Sequence, residues 1–514
     1  MPIHKSTIIL FSFLEGLAVM CVELFGTKIF APFFGTALHV WASVIGMTLI
    51  SLCAGYYVGG KLSLSKNCEN FLPYIVWGGT VFFMLLPLAG PSIITFSLKA
   101  GIYAGTIIAA SLVLFPSLFF FAMINPLLIA GARMEPELSG KSTGIIYAAS
   151  ASGAIIAALI FGFILIPDFG INLPIFILTG CFGFVVIAFS FGNKKPITTC
   201  LGIILVVSGI SAVLANHYSN EKYRQHRIWY ESDGLLGQVS VIDHYHDRPN
   251  RMLYLNGISQ TNEDIESGIS NGLYVHRISA ASSFKPPGSK ALILGMGGGS
   301  LAKEFITLGF KTDICEIDRR MANVSASFFG LDTSKMNIFI DDARHYINIC
   351  PHKYDIIVFD IALGEIQPSH LFTTETFENL KKLTARDQAF IFFHYTDRGY
   401  GSQASQSLCK TLQSSGFVVK EFIPKPGLED DILFIAMTSQ PDMSQFIPDR
   451  QNKCCTLFGK MELLVALQSV PVKNALVLQD DKPLLDIINS TTTLYYRELA
   501  LKNLILKRRT GENF

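Results

Sequence analysis

Charge is what this sequence has least of. Only 16% of its 514 residues are Asp, Glu, Lys or Arg, against 50% apolar residues, and the mean hydropathy is +0.41. That balance excludes a disordered chain, which needs high charge and few apolar groups. The signs nearly cancel as well. A formal net charge of +1 offers no basic field of the kind a nucleic-acid partner requires, so none is expected. Cysteine is sparse and unpatterned: ten thiols form no C-x-x-C pair and no His/Cys zinc spacing, and Cys454 adjoins Cys455. This argues against a disulfide framework or a metal site and fits a reducing compartment around the soluble part. No internal repeat is visible. The length exceeds that of one typical domain.

What is abundant is confined to one region. The apolar excess falls within residues 7–216 and divides into seven stretches long enough to span a bilayer, roughly 7–30, 40–60, 72–95, 102–128, 143–166, 171–192 and 197–216. The first holds Glu15 and Glu23 inside its apolar run and lacks a small-x-small cleavage site, so it reads as a retained helix and not a signal peptide. Residues 1–216 are therefore expected to be an α-helical transmembrane bundle of about seven helices, in a multi-pass protein of a bacterial-type inner membrane. Ala149, Gly153 and Ala157 form one stripe of small residues, and Ala154, Ala158 and Gly162 another, each suited to close helix packing. Glu15 and Glu23 are costly in a bilayer and should face the bundle interior. They are either a polar site for a substrate or ion, or a structural pair bonded to Ser, Thr, Asn or Lys28.

Orientation is pulled two ways. Lys61, Lys66, Arg133, Lys141, Lys194 and Lys195 follow alternate spans, which by the positive-inside rule puts the N-terminus inside and, with seven spans, the soluble part outside. A cofactor made in the cytoplasm requires the opposite. A miscount in the proline-broken stretch 99–132 would reconcile them, and the soluble domain is expected to be cytoplasmic.

After Asn216 the composition turns polar. Residues 217–285 read as a linker and a small antiparallel sheet, with Asp233-Gly234 and Asn256-Gly257 as turn signals. Residues 286–440 alternate strand and helix, and residues 441–514 read as a helical extension with no motif. The most informative stretch is Lys290-Ala-Leu-Ile-Leu-Gly295-Met-Gly297-Gly298-Gly299-Ser300: a strand, four glycines within five residues, then a helix start. Such a turn lets the backbone approach a nucleotide cofactor closely. Glu316-Ile-Asp318 ends a second strand about 20 residues on, where an acid accepts ribose hydroxyls. Asp341-Asp342-Ala343 ends a third strand, and Asp360 a fourth. Strand tips of Gly or acid in succession define one ligand-binding edge of a parallel, Rossmann-like sheet.

These residues carry a family resemblance. Leu255-Asn-Gly-Ile-Ser-Gln260, then the glycine loop, Glu316-Ile-Asp318, Asp342-Ala343 and Asp360, resemble spermidine synthases in order and type. Glu23-Leu-Phe-Gly-Thr-Lys28, Gly55-Tyr-Tyr-Val-Gly59-Gly60-Lys61 and Gly364-Glu365-Ile-Gln-Pro368 are similar to membrane-fused spermidine synthase-like proteins. The resemblance implies a Rossmann-like domain of the S-adenosylmethionine-dependent methyltransferase and spermidine synthase type. It implies that Gly295, Gly297, Gly298 and Gly299 line the methionine-derived part of the cofactor, and that Glu316, with Asp318 beside it, holds the ribose. Asp342 and Ala343 then face the adenine, Gln260 lies over the cofactor, and Asp360 takes a proton from an attacking amine. The co-substrate is decarboxylated S-adenosylmethionine or S-adenosylmethionine, the acceptor a small-molecule amine or a lipid-like one, and a homodimer is compatible with it. Two departures matter. Soluble spermidine synthases place an acid where this chain has Gly298, and a second one in D-x-x-D-P where it has Leu363. An efficient putrescine enzyme is therefore not expected. An aminopropyltransferase-like enzyme is the first reading; a methyltransferase or other S-adenosylmethionine enzyme, and a transporter or sensor with a nucleoside-binding domain, are the alternatives.

Overall fold

The computed structural model describes residues 5–509 except 36–37, 132–138, 193–194, 219–225, 235, 246–247, 363, 365–366, 386–388, 398–400, 423–430, 440–466, 471 and 483. It divides into two compact units, one of residues 1–224 with 231–239, the other of residues 225–230 with 240–512.

The first unit is a helical bundle: α1 (Lys5–Phe34), α2 (Leu38–Leu62), α3 (Leu72–Ser97), α4 (Ile102–Val113), α5 (Phe115–Ala122), α6 (Ile124–Gly131) and α7 (Ser139–Ile160). A π turn over Phe161–Leu165 leads into α8 (Ile166–Phe169), followed by α9 (Asn172–Gly192) and α10 (Pro196–Tyr218). Six helices are long and apolar enough to cross a membrane, and a seventh span results if Tyr103–Val113 and Phe115–Gly131, bent by 44°, count as one. The expected single helix over 102–128 is thus three short ones. Hydropathy cannot see bends, but Pro116 and Pro126 fall in the first turns of α5 and α6, where a proline costs no hydrogen bond. The first small-residue stripe packs tightly. A methyl on Gly153 would lie 2.0 Å from the Phe13 carbonyl oxygen, and one on Gly16 1.8 Å from that of Ser150, so α1 and α7 meet backbone to backbone. In the second stripe Gly162 meets nothing. Leu49, Ile50, Leu88, Ile107, Leu159 and Ile204 are exposed although apolar.

The second unit holds two sheets. The smaller has β1 (His226–Ser232), β2 (Val239–His244), β3 (Asn250–Leu255) and β4 (Ile258–Asp264) in sequence order. Leu255 pairs with Ile258, so Asn256 and Gly257 alone make the β3–β4 turn, with φ of 51° and 77°. These are the left-handed values a two-residue hairpin needs. Then come α11 (Leu273–Ser282), β5 (Lys290–Leu294), α12 (Ser300–Thr307), β6 (Lys311–Glu316), α13 (Arg320–Phe329), β7 (Met336–Ile340), α14 (Ala343–Ile349), β8 (Ile356–Phe359), α15 (Thr374–Lys382), β9 (Phe390–Thr396), α16 (Gln403–Ser414), β10 (Val418–Phe422), β11 (Asp431–Met437) and β12 (Leu467–Gln468). The strand order is β12-β10-β11-β9-β8-β5-β6-β7. Strands β7, β6, β5, β8 and β9 are parallel, and β11, β10 and β12 extend the sheet antiparallel. Strands β5 and β8 are apolar and buried at every position but the exposed Lys290 that opens β5, as central parallel strands covered on both faces must be. The C-terminal segment, expected to be helical, also supplies β12, a strand too short to leave a periodic signal.

Candidate functional site: the carboxyl edge of the parallel sheet

Strand order reverses between β5 and β8: the chain leaves β5 to form β6 on one side, while β8 lies on the other. Such a reversal opens a crevice at the carboxyl ends of the two strands. Gly295 and Asp360 are the first residues beyond those ends, and they touch. Gly295 has φ of 92°, and a methyl there would lie 2.1 Å from the Asp360 carbonyl oxygen.

The rest of the glycine turn is clamped from two sides. The Ser325 hydroxyl on α13 donates to the Gly297 carbonyl at 2.9 Å. The Gly298 amide donates to Thr261 Oγ1 at 2.9 Å, and a Cβ on Gly298 would meet Thr261 Cγ2 at 2.7 Å. Two residues along β4, Glu263 accepts from Ser300 Oγ at 2.6 Å and pairs with Lys303 at 2.7 Å, tying the start of α12 to the small sheet. Gly299 caps α12 in the left-handed conformation.

Glu316 ends β6 with both carboxylate oxygens engaged: the Met296 amide donates to Oε2 and the Asp318 amide to Oε1, each at 2.8 Å. Burial pushes its pKa up, and the backbone donors pull in the other direction without cancelling it. Each oxygen keeps a lone pair, as a group that takes paired ribose hydroxyls must. Asp318 turns elsewhere, to Arg320, at 2.6 Å to Nη2 and 2.9 Å to Nε, and so braces the start of α13. Asp342 is the N-cap of α14, accepting from the Arg344 and His345 amides at 2.9 and 3.1 Å through Oδ1. Ala343 is the buried first residue of that helix. Asp341 is held by His345 Nδ1 at 2.7 Å. Gln260 reaches from β4 to the loop after β8, donating to the Gly364 carbonyl at 3.2 Å.

Asp360 is the centre of the site. Its Oδ1 lies 2.8 Å from His394 Nδ1 on β9, and Tyr274 on α11 donates to its Oδ2 at 3.1 Å. The Tyr274 and His394 rings stack on each other, with centroids 3.7 Å apart and planes within 2°. The stack fixes the imidazole plane, and both polar atoms aim at one carboxylate. Sequence reading assigns His394 no role at Asp360 and misses Tyr274, which no spacing marks. It also misses Arg497. That side chain is 2% exposed, and its Nη1 donates to the Asn256 carbonyl at 2.8 Å, so the C-terminal helix Ser490–Arg509 braces the turn that precedes Gln260. Leu363 and Glu365 lie outside the described residues. Glu15 and Glu23 belong to α1, in the other unit. Glu15 is buried and bonded to Asn125 and Ser150, and Glu23 is half-buried.

A parallel sheet with a glycine turn at its switch point, an acid fixed at the tip of the next strand and a braced carboxylate across the crevice is a Rossmann-like arrangement. Residues 276–442 match the family model described as "Spermine/spermidine synthase domain", and this segment is such a domain. A polyamine aminopropyltransferase of Thermoplasma volcanium is 30% identical over 105 residues, covering 19% of this chain and 38% of that protein. One from Vibrio vulnificus is 34% identical over 116 residues, 21% of this chain and 39% of that protein. An N-terminal histidine N-methyltransferase of Emericella nidulans is 34% identical over 113 residues, 21% of this chain and 20% of that protein. The chain thus spans about two fifths of the length of these two aminopropyltransferases and one fifth of the methyltransferase.

Proposed function

We propose that the second unit is an aminopropyltransferase-like enzyme that alkylates an amine from an adenosyl sulfonium, decarboxylated S-adenosylmethionine in this first reading. The observation that carries it is Asp360. A carboxylate held by His394 and Tyr274, directly against the glycine turn, is a base positioned where a nucleophile must lose its proton. An ammonium cannot attack carbon, so Asp360 takes a proton from it and the freed lone pair forms the new C–N bond. The sulfonium supplies its own activation, because the electron pair of the breaking C–S bond leaves on a neutral thioether. Glu316 holds the ribose, Gly295, Gly297 and Gly299 let the backbone approach the methionine-derived chain, and Asp342 faces the adenine. Tyr274 and His394 keep Asp360 oriented, so positioning carries much of the catalysis.

The acceptor is the less family-like part. Gly298 has no carboxylate, and Thr261 occupies the space one would fill. A diamine's distal ammonium buried without a partner would lose charge-assisted bonds of roughly 1.5–3 kcal/mol each. We therefore infer an acceptor other than putrescine, with less charge or carried by a lipid. The first unit, with its apolar side chains facing outward, would anchor the enzyme in an inner membrane of bacterial type, alone or as a homodimer, with the enzyme domain in the cytoplasm. A second reading, methyl transfer from S-adenosylmethionine, is favoured by the match to the N-methyltransferase.

Purified full-length protein, given each sulfonium and a panel of amines, separates the readings by product. Methylthioadenosine released only with the decarboxylated donor, and lost in Asp360→Asn, supports aminopropyl transfer. S-adenosylhomocysteine from S-adenosylmethionine supports the second reading. Turnover near one per second with sub-millimolar putrescine would overturn the acceptor inference.

A further inference from the structure

The mechanism leaves a buried carboxyl of the first unit unused. Glu15 on α1 is 2% exposed and lies where α1, α6 and α7 meet. Asn125 Nδ2 donates to it at 2.9 Å and Ser150 Oγ at 2.6 Å, both to Oε2. Both donors use Oε2, so Oε1 accepts from neither. Two acceptors are orphaned beside it. Asn125 Oδ1 sits on the amide that already touches Glu15, and Ser12 Oγ lies one turn earlier on the same helix; neither has a partner among the described residues, and both residues are at most 1% exposed. The Ser12 hydroxyl departs from the habit of this bundle, in which Thr48, Ser51, Thr80 and Thr179 return theirs to the carbonyl four residues back. Asn125 stands just past the break between α5 and α6, where an interrupted helix brings polar groups into an apolar interior.

We propose that Glu15, Asn125 and Ser12 bind the primary ammonium group of a small amine. Three oxygens, one of them from a carboxyl that a bound cation would hold ionised, match the three N–H donors and single charge of R–NH3+. Asn125 Oδ1 and Ser12 Oγ are costly to bury unbonded, and a cation that donates would supply the partner they lack among the described residues. A hard metal ion fits less well, since calcium takes six to eight oxygens and no group of three or more His, Cys, Asp or Glu is placed for a metal among the described residues. Lys28 is no internal substitute, because thirteen residues of α1 separate it from Glu15 by about 20 Å. This inference is independent of the chemistry assigned to Asp360.

The test uses the full chain in nanodiscs and dicyclohexylcarbodiimide, which modifies carboxyls shielded from water, with the adduct located by peptide mass spectrometry. Glu15 should be labelled, and putrescine or butylamine should protect it, while tetramethylammonium, which has no N–H, and sodium should not. Ser12→Ala should leave labelling intact and raise the half-protecting amine concentration about tenfold or more, the effect of one lost bond to a charged group. No label at Glu15, no protection by primary amines, or protection by tetramethylammonium or sodium equal to that by butylamine would each overturn the proposal.

Discussion

Glu316 is held in place by main-chain amides before any ligand arrives, so the reorganisation that would weaken binding is already done. If it takes the ribose hydroxyls, Glu316→Ala should weaken adenosyl sulfonium binding by ~1–3 kcal/mol, the effect of unpairing buried polar groups. Calorimetry is the measurement, with Glu316→Gln as the milder comparison that keeps one acceptor for the Met296 and Asp318 amides. Unchanged affinity in both would remove the assignment. A second residue makes a pH prediction. Glu421 on β10 is fully buried with neither carboxylate oxygen bonded, and burial, then the nearby Asp397, push its pKa from 4.5 up to about 7. Between those values the folded state binds more protons than the unfolded state. The Glu421 contribution to stability is therefore fully present below pH 4.5 and is lost as pH rises through about 7. Other carboxylates act in the opposite sense, so the difference from Glu421→Gln is what isolates it. Hydrogen exchange of the β10 and β11 amides should show the variant gaining protection over wild type from pH 5 to 8, by on the order of 1–3 kcal/mol at the top of the range. A gap that stays constant with pH would mean that Glu421 does not titrate there.

At the scale of elements, the glycine turn is a clamp between β4, α13 and β8, and its tolerance is uneven. Gly295→Ala should abolish co-substrate binding in a folded protein, since both its φ and the Asp360 carbonyl refuse a Cβ. Gly298 has an ordinary φ, and only Thr261 crowds it. The acid found there in soluble spermidine synthases should therefore not work alone. Gly298→Asp with Thr261→Ser, which removes Cγ2 and keeps the Oγ1 that receives the Gly298 amide, should give more putrescine-dependent methylthioadenosine than Gly298→Asp by itself. Equal rates would show that Thr261 is not what excludes the acid. The same elements show what a sequence can and cannot convey. Strands β5, β6 and β8 are legible because a central parallel strand is a short apolar run and its tip must carry Gly or an acid; the β3–β4 hairpin is legible because only residues such as Asn256 and Gly257 adopt its turn. The Tyr274–His394 stack on Asp360 is not legible. It joins positions 120 residues apart, and its signal is a distance. Arg497 is hidden for the same reason: in a polar helix only burial distinguishes it from its neighbours. Asp318 reads as a ligand because it follows Glu316, yet Arg320, two residues on, claims it.

Should the first unit span a membrane as proposed, the course of α4–α6 decides which side the second unit faces. A reversal within that stretch would give six spans and put both ends of the bundle on one side. A bend of 44° between Val113 and Phe115 is far from a reversal, and favours one broken span and seven crossings. The loop lysines and arginines then favour the second unit outside, while the proposed transfer needs a sulfonium that is made in the cytoplasm. Our expectation is a cytoplasmic domain and, with seven spans, an N-terminus on the far side against the charge rule. A cysteine in place of Ser414, an exposed residue near the end of α16, decides it. In a background without other reactive thiols, and in intact cells, Ser414→Cys should resist a membrane-impermeant maleimide and react only after lysis, while a tag at the N-terminus is accessible from outside. Protection of both would mean that α4–α6 turns back after all and six helices cross. Ready labelling of Ser414→Cys in intact cells would put the domain outside, where no adenosyl sulfonium is made, and would move the weight of evidence from transfer chemistry to the sensing of a nucleoside.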